Sequence, residues 1–138
     1  MNLNLLMYYF FKNNFFNKIT KMSHNQNKYK IILLGESSVG KSSILNRLTH
    51  DSFSDINVST ISEFYTNKEM IVKGKKMNLQ IWDTAGEERY RSIVKNYFIG
   101  CTAAILVYDI TNKNTFNLLK DFWYNEIIKF NPNISMYK

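Results

Sequence analysis

The stretch "YKIILLGESSVGKS", residues 29–42, decides the fold. Its first half is a continuous apolar run that stops at Gly35, the pattern of a strand buried on both faces of a parallel sheet. Its second half, "GESSVGKS" at residues 35–42, fits G-x-x-x-x-G-K-[ST] in full. It also has the required context, after a buried strand and opening a helix. That helix is predicted from Lys41 onward, with Ile44, Leu45 and Leu48 on one face. Glycines at 35 and 40 let the backbone wrap tightly, so that N–H groups of the loop point inward at phosphate oxygens. A helix N-terminus adds a favourable field for an anion. Gly35, Ser37, Ser38, Val39, Gly40, Lys41, Ser42 and Ser43 are therefore the candidate nucleotide-binding residues. Lys41 would neutralise the β- and γ-phosphates, and Ser42 would offer its hydroxyl to Mg²⁺.

Working outward, "LQIWDTAG" at residues 79–86 supplies a second half to the site. An acid at the end of a strand parallel to the first can hold magnesium, often through water, and Asp83 is placed for that. Gly86 can present a backbone N–H to a γ-phosphate with no side chain in the way. Residues 63–73 and 75–82 read as two strands joined at Gly74 in a hairpin. In the second, Met77, Leu79 and Ile81 alternate with Lys76, Asn78 and Gln80, so one face is less buried. "AAILVYD", residues 103–109, is another fully buried strand. Phe116, Leu119, Phe122, Trp123 and Ile127 recur at helical spacing, which predicts a helix over residues 115–130 and assigns those aromatics to core or interface. Residues 51–59 are polar and read as loop. Strands alternating with helices imply a layered α/β fold, with an antiparallel hairpin strand on a mainly parallel sheet.

The charge distribution qualifies the basic pI. Of the net +7, five charges come from Lys12, Lys18, Lys21, Lys28 and Lys30 in an acid-free first 30 residues, leaving +2 for the rest. No nucleic-acid footprint is read from that distribution. The leader, residues 1–27, holds an apolar run at residues 5–11 that is far too short to span a bilayer. Its lysines follow the apolar run, the reverse of a secretory signal. It is expected to be disordered, or to lie upstream of a true start at Met22. The single cysteine, Cys101, reads as a buried structural thiol in a reducing compartment.

Residues 35–42, "STI" at 59–61, "LQIWDTAGEERYRSI" at 79–93 and "ILVYDIT" at 105–111 resemble the Ras-superfamily small GTPases, and the Rab branch in particular. The resemblance runs from about residue 28 to 137, which makes residues 28–138 a partial G domain. It implies the P-loop NTPase fold, three layers α/β/α with a mainly parallel sheet and one antiparallel strand. It implies a GTP/GDP switch with Mg²⁺ in vesicular membrane traffic, cytoplasmic and peripheral to endomembranes. Exchange factor, GTPase-activating protein and effectors would act through switch I and switch II. By the same resemblance Thr60 closes on Mg²⁺ and the γ-phosphate, and Phe53 packs on the guanine edge. Switch II spans roughly residues 84–96. The position after Asp-x-x-Gly normally holds a glutamine that orients the attacking water; here it is Glu87, which when ionised only accepts hydrogen bonds. Glu87 is therefore expected to alter the hydrolysis rate and make it pH-dependent.

Other departures concern Ser62, where the branch usually has glycine, and Ile99, where it has arginine. The chain shows no Asn-Lys-x-Asp guanine reader and no C-terminal prenylation cysteine, so its C-terminal part is expected to be missing. On that expectation the strand at residues 103–109 becomes a naked sheet edge, and an apolar face beside the first strand lies open. An alternative reading is a truncated pseudo-switch that presents Rab-like surfaces without turnover.

Overall fold

The computed structural model describes residues 28–50, 64–72, 74–84 and 95–137. Its strands are β1 (Lys28–Leu34), β2 (Phe64–Val72), β3 (Lys75–Asp83), β4 (Ala103–Leu106) and β5 (Ser135–Tyr137). They form one sheet in the order β2-β3-β1-β4-β5. β1 runs parallel to β3 and β4, β5 parallel to β4, and only β2 is antiparallel, to β3. This is the expected mainly parallel sheet with one antiparallel strand. The hairpin forms where Gly74 takes a φ of 78°, a left-handed value that glycine adopts at little cost, and Val72 pairs directly with Lys75.

Two cores separate on the parity of β1. Ile31 and Leu33 pack with Leu79, Ile81, Ala103 and Ile105, and α1 (Lys41–His50) adds Leu45 and Leu48 on that face. Ile32 and Leu34 face the other way, onto Ala104, Leu106, Leu119, Trp123 and Ile127. The chain thus has helices on both faces, the three-layer arrangement that an apolar strand without alternation demands.

The second helical stretch departs from the expectation. It starts at Lys113 rather than Thr115, because the Asn112 side chain accepts a bond from Asn114 N–H and caps α2 (Lys113–Leu118). A π turn, Leu119–Trp123, then joins α2 to α3 (Tyr124–Phe130). Thr115, Leu119, Trp123 and Ile127 all point inward and are spaced by four residues. Three such steps would carry a regular helix about 120° around its axis. The wider π turn holds all four on one side. Phe116, expected in core or interface, falls off that line and is exposed, with its ring edge-on to Tyr108.

Three further expectations change. The strand expected over residues 103–109 ends at Leu106; Asp109 N–H instead donates to Thr115 Oγ1 at 3.0 Å. β4 is not a naked edge, because Ser135, Met136 and Tyr137 pair along it as β5. The apolar face beside β1 is not open either: Tyr29, Ile31, Ala103 and Ile105 are all at most 3% exposed. The expected switch I and most of switch II, and the leader, lie outside the described residues.

Candidate functional site

The loop between β1 and α1 is built by its backbone. Gly35 has a φ of 150°, Ser38 of 63° and Gly40 of 100°, three positive values within six residues. A Cβ on Gly35 would lie 2.1 Å from the Val107 carbonyl oxygen, so only glycine lets the loop leave β1 this close to β4. Ile44 N–H bonds to Gly40 O at 2.9 Å, which begins the helix ladder at the second glycine. The first turn of α1 carries no acid, so nothing there opposes an anion at its N-terminus.

Lys41, the first residue of α1, turns back under the loop. Its Nζ donates to Gly35 O at 3.0 Å and to Glu36 O at 2.6 Å. Burial pushes its pKa down to about 8, against the opposing pull of the Asp83 and Glu36 carboxylates. A buried ammonium is an expensive arrangement in a small domain. Among the described residues its hydrogen bonds on the loop side go to carbonyl oxygens, and the Glu36 carboxylate adds a favourable charge.

Asp83 comes from the last residue of β3, and the register places it beside Leu33 at the end of β1. The Ser42 hydroxyl donates to Asp83 Oδ2. Burial raises the Asp83 pKa, while the Ser42 bond and the Lys41 charge pull it down. Its other oxygen, Oδ1, is buried with no hydrogen-bond partner among the described residues. An orphaned carboxylate oxygen beside a serine hydroxyl is the donor set a hard divalent cation takes, oxygen ligands with room for water. The residues present thus fit Mg²⁺, with Ser42 and Asp83 as the protein ligands. No cluster of three acidic, histidine or cysteine side chains exists among the described residues, so such an ion would need other oxygens, from phosphate and water.

Together these elements bring Gly35, Ser37, Ser38, Val39, Gly40, Lys41, Ser42, Ser43 and Asp83 to one end of the sheet, beyond the carboxyl ends of β1 and β3. That is where ligands sit in open α/β sheets. Phe53, Thr60, Gly86 and Glu87 lie outside the described residues.

The family model for the Ras family matches residues 30–137. The chain belongs to the Ras family. Within it this small-GTPase chain is Rab-like. It is 45% identical over 109 residues to Ras-related protein Rab-18 of Lymnaea stagnalis, covering 79% of this chain and 54% of that one. It is 44% identical over 102 residues to Ras-related protein Rab-1D of Dictyostelium discoideum, covering 74% and 50%. A putative ras-related protein Rab-5B of the same organism is 45% identical over 115 residues, covering 80% and 53%. The chain spans about half the length of the curated relatives it matches.

The Ras-family site also contains residues that the sequence did not single out. Trp123 Nε1 donates to Glu36 Oε1 at 2.9 Å, across 87 positions of sequence. It ties the π turn to the phosphate loop. The fully buried indole was legible as core, but nothing in the spacing pointed to its polar end. Thr84 Oγ1 donates to Leu33 O at 2.6 Å and holds the end of β3 against the loop's entry. Its signal was only its place after Asp83. Outside the phosphate end, Tyr65 stacks on Trp82 at 4.9 Å, Trp82 meets Tyr97 at 5.5 Å, and Lys30 Nζ lies 4.7 Å from the Trp82 ring. Among the described residues, no helix is long and apolar enough to cross a membrane.

Proposed function

We propose that this chain is the phosphate-holding part of a Rab-type GTP/GDP switch acting in vesicular membrane traffic, and that it hydrolyses GTP to GDP and phosphate with Mg²⁺. The observation that carries the reading is the conjunction of Lys41, Ser42 and Asp83 at one glycine-wrapped helix start. Backbone N–H groups of the loop from Ser37 to Ser43 would cradle the phosphates, and Lys41 would neutralise them. A phosphate in reach of Nζ would replace carbonyl dipoles with a full opposite charge and restore the lysine's ordinary affinity for its proton. Ser42 and Asp83 would hold Mg²⁺, which would supply charge neutralisation to the phosphates.

The remaining roles rest on the resemblance alone. Thr60 and Gly86 would read the γ-phosphate, Phe53 would pack against guanine, and Glu87 would hold the attacking water. Exchange factors, activating proteins and effectors would bind the segments around Thr60 and Glu87. A cytoplasmic place on endomembranes is part of the same proposal.

The test is saturable binding of labelled GTP and GDP to the purified chain in Mg²⁺. Binding lost in Lys41→Ala, with a raised Mg²⁺ requirement in Asp83→Ala, is the expected pair of results. Affinity unchanged in both variants refutes the site. A Glu87→Gln variant whose turnover matches the parent at every pH from about 5 to 8, the range over which a perturbed carboxylate would titrate, removes the special role of Glu87.

A further inference from the structure

The phosphate loop carries an acid. Across residues 35–43 the ionisable side chains are those of Glu36 and Lys41. A carboxylate in a loop that wraps an anion works against its ligand unless its charge is directed elsewhere.

Glu36 is held at both ends. Its carbonyl accepts from Lys41 Nζ at 2.6 Å. Its carboxylate Oε1 accepts from Trp123 Nε1 at 2.9 Å. An ammonium bonded to the carbonyl of residue 36 lies within reach of that residue's own side chain, and the two charges attract. The carboxylate nevertheless turns to a neutral donor in the helical layer, at the end of the π turn between α2 and α3.

Trp123 sets that choice because it is fixed in place. It is fully buried in the core with Ile32, Leu34, Leu106 and Leu119. The Phe122 ring stands edge-on to it, with centroids 5.1 Å apart and planes at 83°. An indole so enclosed keeps one rotamer, and its N–H points one way. Glu36, half-buried in a loop, has several side-chain torsions to turn and gives up their freedom to meet it. An indole N–H is a donor only and carries no charge, so it solvates the carboxylate without neutralising it.

We infer that Trp123 is a positioning residue for the phosphate loop: its indole N–H holds the Glu36 carboxylate against the helical layer and off Lys41, and so leaves the ammonium to a phosphate. The inference rests on the reading of this loop as a nucleotide site. It adds a control on affinity from outside the loop, by a residue 87 positions away. Without the indole N–H the carboxylate swings to Lys41 Nζ and closes an ion pair that a phosphate must first displace.

Binding of labelled GDP in Mg²⁺ tests this on four full chains: the parent, Trp123→Phe, Glu36→Gln and the double variant. Trp123→Phe is expected to weaken GDP about tenfold in the parent background, the lower end of what a hydrogen bond to a charged group contributes. In the Glu36→Gln background, with no charge to release, it should weaken GDP less than about twofold. Equal losses in both backgrounds, or none in either, overturn the proposal; equal losses would mean that Trp123 acts through packing alone.

A ligand-free measurement separates this from failure of the nucleotide reading. Nitrogen-15 NMR of the lysine ammonium groups follows the Lys41 Nζ resonance, assigned with Lys41→Arg. Trp123→Phe should move it clearly further in the parent background than in the Glu36→Gln background. A chain that binds no GDP but shows this pattern loses the nucleotide reading and keeps the positioning role. A resonance that moves equally in both backgrounds, or in neither, removes the role. Where Trp123→Phe does not fold, Glu36→Asp makes the same break from the loop side, keeping the charge but drawing it back from the indole. It should weaken GDP and move the Lys41 resonance; a Glu36→Asp chain that matches the parent in both overturns the proposal.

Discussion

Two buried groups titrate in opposite directions above neutrality, and together they fix the shape of the ligand-free chain's stability against pH. The Lys41 pKa falls from 10.5 unfolded to about 8 folded. Between those values the unfolded chain holds a proton that the folded chain has lost, so stability rises with pH through the window, by about 1.4 kcal/mol per unit. The full gap is worth roughly 3 kcal/mol on the same scale. Cys101, buried at 6% exposure, goes the other way: its pKa rises from 9.0 to about 12, chiefly through burial. Above pH 9 the unfolded thiol loses its proton while the folded one keeps it, so stability falls at a similar slope.

The sum is a distinctive profile: a rise of about 1.4 kcal/mol from pH 8 to 9, a plateau to about 10.5 where the slopes cancel, and a fall beyond. Urea unfolding followed by tryptophan fluorescence, under reductant, would read it. Cys101→Ala should remove the plateau and let the rise continue to about pH 10.5. Lys41→Met should abolish the rise and leave only the fall. A Lys41→Met chain that still gains stability between pH 8 and 9 refutes the assignment of that proton to the phosphate-loop lysine.

Other outcomes follow from single contacts. Gly35→Ala should destabilise the chain by several kcal/mol in thermal or urea unfolding, because the new Cβ would lie 2.1 Å from the Val107 oxygen at a φ that alanine resists. Trp123→Phe keeps most of the buried volume but strips the donor from Glu36; a loss of roughly 1–3 kcal/mol in urea unfolding is expected. Glu36→Gln, which keeps an acceptor, should cost clearly less. Asp83→Asn should stabilise the ligand-free chain near neutral pH, because the raised Asp83 pKa marks a carboxylate whose ionisation opposes folding. The same logic has the parent gain stability as pH falls through the folded Asp83 pKa, a gain that the asparagine variant should lack. Unfolding curves of the two proteins from neutral pH down to about 4, near the ordinary carboxylate pKa, would show it.

Much of the phosphate end was legible because each residue there is constrained locally. A strand that ends in an unbroken apolar run, a glycine where the chain must pass close to its neighbour, and a lysine at the following helix start leave few alternatives. The β2–β3 pair was legible for the same reason, from period-two alternation and Gly74. The rest depended on partners distant in sequence. β5 is three residues long and pairs only because β4 offers an edge. The early end of β4 follows from Thr115 taking the Asp109 amide, a contact no periodicity encodes. The Glu36–Trp123 bond joins two residues whose polar ends carry no shared pattern. Leu119, Trp123 and Ile127 are legible as one apolar face, but Thr115 is polar and gives no core signal, so the strict four-residue interval of the inward line does not stand out in the sequence.

That interval gives the π turn a mechanical meaning. The helical stretch from Lys113 to Phe130 is two segments kept in phase by one extra residue held in the turn between them. Eleven steps of regular helix come within about 20° of three full turns, whereas twelve overshoot by about 120°. Deleting one residue from 120–122 should therefore relax the turn into regular helix and still leave Trp123 near Glu36, Ile127 in the core and Phe130 near the Phe98 ring it meets at 5.4 Å. A shortened variant should fold with both ends of the helix seated, whereas one further residue inserted there would have no turn left to absorb it.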